Sequence, residues 1–148
     1  MRLGQPMPHL QQLLGLISAW KSKDIDGVLA FMHEDIVWHY AAVIAPPLKG
    51  KVKARKLLEG MALQVHDVTW RIFDYAENGE RLFVEGVDEY VSVDGRLVSA
   101  PYAGVVEFRD GKIIGLREYF DMRAVDALKA GDPLKEHVRV LIAREAVG

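Results

Sequence analysis

Three glycine-bearing dipeptides, Asn78-Gly79, Asp94-Gly95 and Asp110-Gly111, punctuate the second half of the chain. Each tolerates the positive φ angles of a tight hairpin turn. Between and around them lie four runs rich in β-branched and aromatic residues, at 66–76, 81–93, 96–108 and 112–122. Four long strands joined by three tight turns predict an antiparallel meander. One carboxylate, Glu118, sits deep in the last run between Leu116 and Phe120. A charge there either faces out into solvent or faces in and does chemistry.

The first half reads as helix. Leu10, Leu13, Leu14, Ile17 and Trp20 recur at helical spacing and predict one apolar face over 8–21, with Pro6 and Pro8 suited to its start. Asp24 suits the N-cap of a second short helix carrying Val28, Leu29, Phe31 and Met32, which His33-Glu34-Asp35 ends. Residues 36–40 predict a short strand. Pro46-Pro47 and Gly50 make 41–50 a loop, and 51–63 predicts a helix burying Val52, Leu57, Leu58 and Met61. After the meander, 124–129 reads as a turn or two of helix, stopped by Gly131-Asp132-Pro133. Residues 135–146 form an amphipathic helix with Val138, Leu141 and Ile142 on one face, to pack on the sheet or on a partner subunit.

Helices followed by a meander make an α+β pattern. The expectation is a curved, mostly antiparallel sheet wrapped around N-terminal helices, a cone with a deep pocket. One domain accounts for 1–148, with its core at about 8–130.

Composition excludes several functions. Net charge is −2, so there is no electrostatic footprint for nucleic acid. No apolar run approaches a membrane span. The N-terminus has Pro and Gln where a signal peptide needs an unbroken apolar stretch, so a cytoplasmic location is expected. The absence of cysteine removes disulfides, thiolate metal sites and a cysteine nucleophile. His9, His33, His39, His66 and His137 show no metal spacing, so no metal is expected. No glycine-rich phosphate loop or nucleophile elbow follows a strand, and no cofactor is expected.

A two-residue loop at each turn predicts the register. Arg71 then faces Gly86, Gly86 faces Ala103, and Ala103 faces Glu118. The same arithmetic gathers Phe73, Val84, Pro101, Val105, Leu116 and Phe120 on one face with Asp88 and Glu118. That face is the better candidate for the helix-covered side. Gly86 and Ala103 leave a trough between a guanidinium and a carboxylate, with Gly86 roughly 10 Å from Glu118. A β-bulge in any strand shifts this row.

The segments Ala19-Trp20-Lys21-Ser22-Lys23-Asp24, His33-Glu34-Asp35-Ile36-Val37-Trp38, Phe108-Arg109-Asp110-Gly111-Lys112-Ile113 and Arg117-Glu118-Tyr119-Phe120-Asp121 carry a resemblance. The chain resembles the SnoaL-like and limonene-1,2-epoxide hydrolase-like branch of the nuclear transport factor two-like superfamily, over about 10–130. The resemblance implies a cone with a deep pocket and a homodimer, here through the outer sheet face. It also implies relatives that are epoxide hydrolases, polyketide cyclases, ketosteroid isomerases or silent binding modules. The epoxide hydrolases use an Asp–Arg–Asp network with a Tyr and an Asn holding water. By that resemblance Asp88 matches the orienting Asp and Glu118 the base. The arginine position is Gly86, the Tyr position Trp38 and the Asn position Tyr40.

Two readings follow. In the first, the chain is a cofactor-independent enzyme on a small apolar, oxygen-bearing molecule. Glu118 is the general base or acid and Asp88 its partner. Tyr40 and Arg71 anchor the substrate, while Trp38, Leu116 and Phe120 wall the pocket. Arg71, opposite Gly86, would stand in for the missing guanidinium. In the second, the fold is a non-catalytic small-molecule-binding or interaction module.

Overall fold

The computed structural model describes residues 8–148; Pro6, expected at the start of the first helix, lies outside them. The elements run α1 (His9–Lys21), α2 (Ile25–Ala30), β1 (Met32–His39), β2 (Leu48–Lys49), α3 (Lys51–Gln64), β3 (Val65–Asn78), β4 (Arg81–Ser92), β5 (Leu97–Arg109), β6 (Lys112–Tyr119), α4 (Met122–Lys129) and α5 (Glu136–Ile142). All six strands join one curved sheet in the order β2-β1-β6-β5-β4-β3. The pairs from β3 to β6 are antiparallel, whereas β1 lies parallel to β6. Among the described residues no helix is long and apolar enough to cross a membrane.

Local chemistry explains the element boundaries. Pro8 is the N-cap of α1. Asp24 caps α2, its carboxylate accepting from the Gly27 N–H at 2.9 Å. Residues His33-Glu34-Asp35 do not end that helix; they already belong to β1, which carries Met32 and Ile36 into the core. The strand expected over 112–122 ends at Tyr119, because Asp121 caps α4 by accepting from the Arg123 N–H. In α3 the buried residues are Ala54 and Leu58, while Val52 is 72% exposed.

The core lies on one face of the sheet. Leu13, Leu16, Ile17 and Trp20 of α1, Val28 and Leu29 of α2 and Leu58 of α3 pack on Ile72, Leu82, Val84, Val106 and Leu116. On the opposite face α5 covers part of the sheet, where Ile142 packs on Phe73 and Val87. The terminal helix thus packs on its own sheet. Leu141, expected on its buried face, is 42% exposed.

The turns modify the expected register. At Asp110-Gly111 the two-residue loop holds: Arg109 faces Lys112, and both loop residues have positive φ (52° and 73°). At the first turn Asn78 faces Arg81, so the loop is Gly79-Glu80. At the second, the Ser92 N–H donates to the Arg96 carbonyl, leaving the three-residue loop Val93-Asp94-Gly95. The register also shifts between Ile72 and Asp74 in β3, and opposite Glu107 and Phe108 in the β5–β6 pair. Each one-residue shift turns the strand beyond it over.

The expected row is therefore replaced. Ile72 faces Gly86, Arg71 faces Val87, Gly86 faces Tyr102 and Gly104 faces Glu118. Tyr102 and Phe108 alternate with Ala103 and so are turned away from Asp88 by the expected register, yet they are buried in the helix-covered core. Phe73 packs instead under α5. Val105 and Pro101 pair with Arg117 and Val87 on that outer face.

Candidate functional site

The helices do not fill the whole cone. Where α1 meets the sheet the core is packed with leucine and isoleucine. Toward α3 and α4 the facing positions include Ala41, Ala45, Gly60 and Ala100. These small side chains leave a cavity of about 540 Å³, the size of a pocket for one small organic molecule. Trp20, Trp38, Leu57, Met61, Val65, Val68, Phe120 and Val125 line it with apolar surface. Lys56, Leu57, Gly60, Met61 and Gln64 contribute one continuous stripe of α3.

Asp88 and Glu118 both line this cavity. They project from β4 and β6, on either side of β5, where Asp88 pairs with Ala100 and Glu118 with Gly104. Both are only partly accessible, and the surface they expose opens on the cavity. Burial raises the Asp88 carboxyl to about 6, with the neighbouring Glu89 charge adding to it. Burial likewise raises Glu118 to about 8, with the Asp88 charge as the second cause. Asp88 thus ionises first, and its charge then opposes ionisation of Glu118. Near neutral pH this ordering leaves Asp88 mostly charged and Glu118 mostly protonated.

Between these carboxyls on β5, among Ala100, Tyr102 and Gly104, stands Tyr102. Its hydroxyl oxygen accepts from the Trp70 Nε1–H at 2.6 Å. A phenol that accepts still has its own hydrogen to donate. Burial, reinforced by the Glu118 charge, pushes its ionisation well above the ordinary range, so it stays neutral. Tyr40, Tyr90 and Phe120 complete the polar and aromatic lining around it. The expected register turns Tyr102 to the outer face, and Tyr90, though it alternates with Asp88, carries no other sequence signal for the site. The signal available for Tyr102 was the alternation of Val98, Ala100, Tyr102, Gly104 and Val106, small or apolar at every second position.

Of the other residues singled out from sequence, Trp38, Tyr40 and Phe120 line the cavity. Leu116 is buried in the core beside it, on the face of Glu118. Arg71 does not join them. The bulge at Phe73 turns it to the outer face, where its guanidinium donates to Glu89 at 2.5 Å and to the Ile142 carbonyl at 3.0 Å. Arg71 therefore supplies no guanidinium to Asp88 or Glu118. Position 86 supplies none either. A Cβ built there would collide with the Arg71 carbonyl oxygen and meet Ile72 Cδ1 at 3.2 Å. Among the described residues no group of three His, Asp or Glu side chains could hold a metal ion.

The family model of the SnoaL-like domain matches residues 13–116. The chain belongs to the SnoaL-like family. No curated protein sequence matches it. Among solved structures, an LEH-like epoxide hydrolase of M. tuberculosis is similar at 23% identity and TM-score 0.70, over 90% of this chain and 94% of that one. TerC, co-crystallised with polyporic acid, is similar at 22% identity and TM-score 0.74, over 84% and 100%. A Catenulispora acidiphila protein with a ketosteroid isomerase-like fold, in complex with trimethylamine, is similar at 16% identity and TM-score 0.73, over 83% and 94%. These likenesses establish the nuclear transport factor two-like fold that SnoaL-like proteins share.

Proposed function

We propose that this SnoaL-like protein is a cofactor-independent enzyme that moves a proton beside a carbonyl of a small, largely apolar substrate. The observation that carries the reading is the pair Asp88 and Glu118. Both face one apolar cavity, and neither has a hydrogen-bond or ion-pair partner among the described residues. A carboxyl serving the fold alone is normally paired when it is buried. Here Asp88 acts as the base that takes the proton from carbon, and Glu118 donates to the carbonyl oxygen, with Tyr102 and Tyr40 as further donors. The same pair serves a double-bond shift or an aldol-type ring closure. Epoxide opening is disfavoured, because the guanidinium position is closed at Gly86 and Arg71 lies behind the sheet.

The test is exchange of deuterium from solvent into the carbon beside a ketone, followed by NMR over a panel of cyclic ketones and enones. The wild-type protein should accelerate it, and Glu118→Gln or Asp88→Asn should reduce it by about 100-fold. No acceleration with any ketone, or exchange untouched by both substitutions, refutes the proposal. The missing guanidinium also supports the second reading, a binding module using the same cavity. That reading predicts ligand affinity without exchange.

The uncovered part of the outer face supports the homodimer expected from sequence. Phe83 is 38% and Tyr119 42% exposed there. Sedimentation at micromolar concentration should then give twice the chain mass of 16.6 kDa.

A further inference from the structure

Charge at the cavity is divided between two depths. The buried end carries Asp88, Glu118 and Tyr102, and the walls are apolar. At the rim stand Lys56 of α3 and Lys129 of α4, both exposed and both lining the cavity. Neither has an ion-pair or hydrogen-bond partner among the described residues. Their neighbours are differently placed: Arg55 takes Asp26 at 2.6 Å and Glu59 at 3.9 Å, and Lys51 takes Glu34 at 3.6 Å. The helix bearing Lys56 holds four basic residues and one acidic, in a chain whose net charge is −2. One turn beyond Lys56, Gly60 keeps the same stripe open, since a Cβ there would meet nothing within 4 Å.

We infer that the cavity takes an amphipathic organic acid. Its carboxylate rests between Lys56 and Lys129 at the rim, and its apolar body carries a carbonyl down to Asp88 and Glu118. Two cations from separate helices fix the direction in which such a molecule enters. A substrate inserted the other way would set its carboxylate against Asp88 among apolar walls, which is strongly unfavourable. The inference rests on the proposed proton transfer only for what happens at the buried end; the binding preference stands separately.

The test compares 6-acetyl-2-naphthoic acid with its methyl ester by quenching of tryptophan fluorescence, since Trp20 and Trp38 line the cavity. The acid should bind about tenfold more tightly than the ester. This advantage should fall to less than about threefold in 0.5 M NaCl, because both lysines are exposed to screening. The double substitution Lys56→Ala, Lys129→Ala should bring the ratio of acid to ester affinity to about one, with folding checked by circular dichroism. Equal affinities in the wild-type protein, an advantage that survives the double substitution, or no binding of the acid at millimolar concentration overturns the inference. Glu118→Gln separates the two proposals: the acid's advantage persists in it whether or not solvent exchange into the bound ketone is lost.

Discussion

Replacing Glu118 by Gln should make the protein more stable at alkaline pH and leave it unchanged at acid pH. The glutamine keeps the size of the protonated carboxyl and cannot ionise. Glu118 is raised from 4.5 to about 8 by burial and by the Asp88 charge. A carboxyl with a raised folded-state value contributes stability that is complete below its unfolded value. That contribution drains away as pH climbs through the folded value. Between pH 4.5 and 8 the loss amounts to roughly 5 kcal/mol if nothing relaxes. Water entering the open cavity lowers this, so about 2–5 kcal/mol is expected at pH 9. Urea unfolding of both proteins at pH 4, 7 and 9 measures it. The two curves should agree at pH 4 and separate in favour of Gln by pH 9, with unfolding free energies about 2–5 kcal/mol apart. A difference that stays within about 0.5 kcal/mol across the range would show Glu118 to be solvated, and the acid–base reading would fall with it.

Further outcomes follow from the same geometry. The kcat/KM profile of any ketone substrate should rise as Asp88 ionises near pH 6 and fall as Glu118 loses its proton near pH 8; a flat profile from pH 5 to 9 removes the pair from the reaction. Gly86→Ala should destabilise by about 1–3 kcal/mol in a denaturant titration, because the added methyl meets the Arg71 carbonyl. Gly60→Ala should stabilise by about 0.4–1 kcal/mol, since it improves helix propensity and meets no atom; a lower midpoint temperature would contradict the open wall. Arg71→Ala should cost about 1–3 kcal/mol by leaving the Glu89 carboxylate with the Ser99 hydroxyl but without its ion-pair partner and by freeing the end of α5, while ligand affinity in the cavity stays the same.

Much of this was legible in the chain. The turn dipeptides announced the meander, and the spacing of Leu13, Ile17 and Trp20 announced the helix it wraps. Register was not legible, because a dipeptide such as Asp94-Gly95 does not reveal whether two or three residues close the loop. Nor does the sequence mark the bulge at Phe73. Side chains alternate with period two, so what matters is whether the number of one-residue slips is odd or even. Between Asp88 and Glu118 there are two slips, one at the second turn and one in the β5–β6 pair, and they cancel. Those two residues came out on one face for that reason. Tyr102 is separated from Asp88 by one slip, and so is Arg71. The arithmetic therefore lost a tyrosine that belongs to the cavity and admitted an arginine that does not.

A β-sheet is a membrane one backbone thick. Asp88 and Glu89 are consecutive residues, yet one opens on the cavity and the other is tied to Arg71 and Ser99 beneath α5. The Glu89 charge is felt through that thin wall, where it raises Asp88. The acidity of the interior is thus partly set from behind. Neutralising Glu89 would lower Asp88, with no atom of the cavity lining altered. Tuning by exterior substitution is open to this architecture because a strand sends neighbouring side chains to opposite sides.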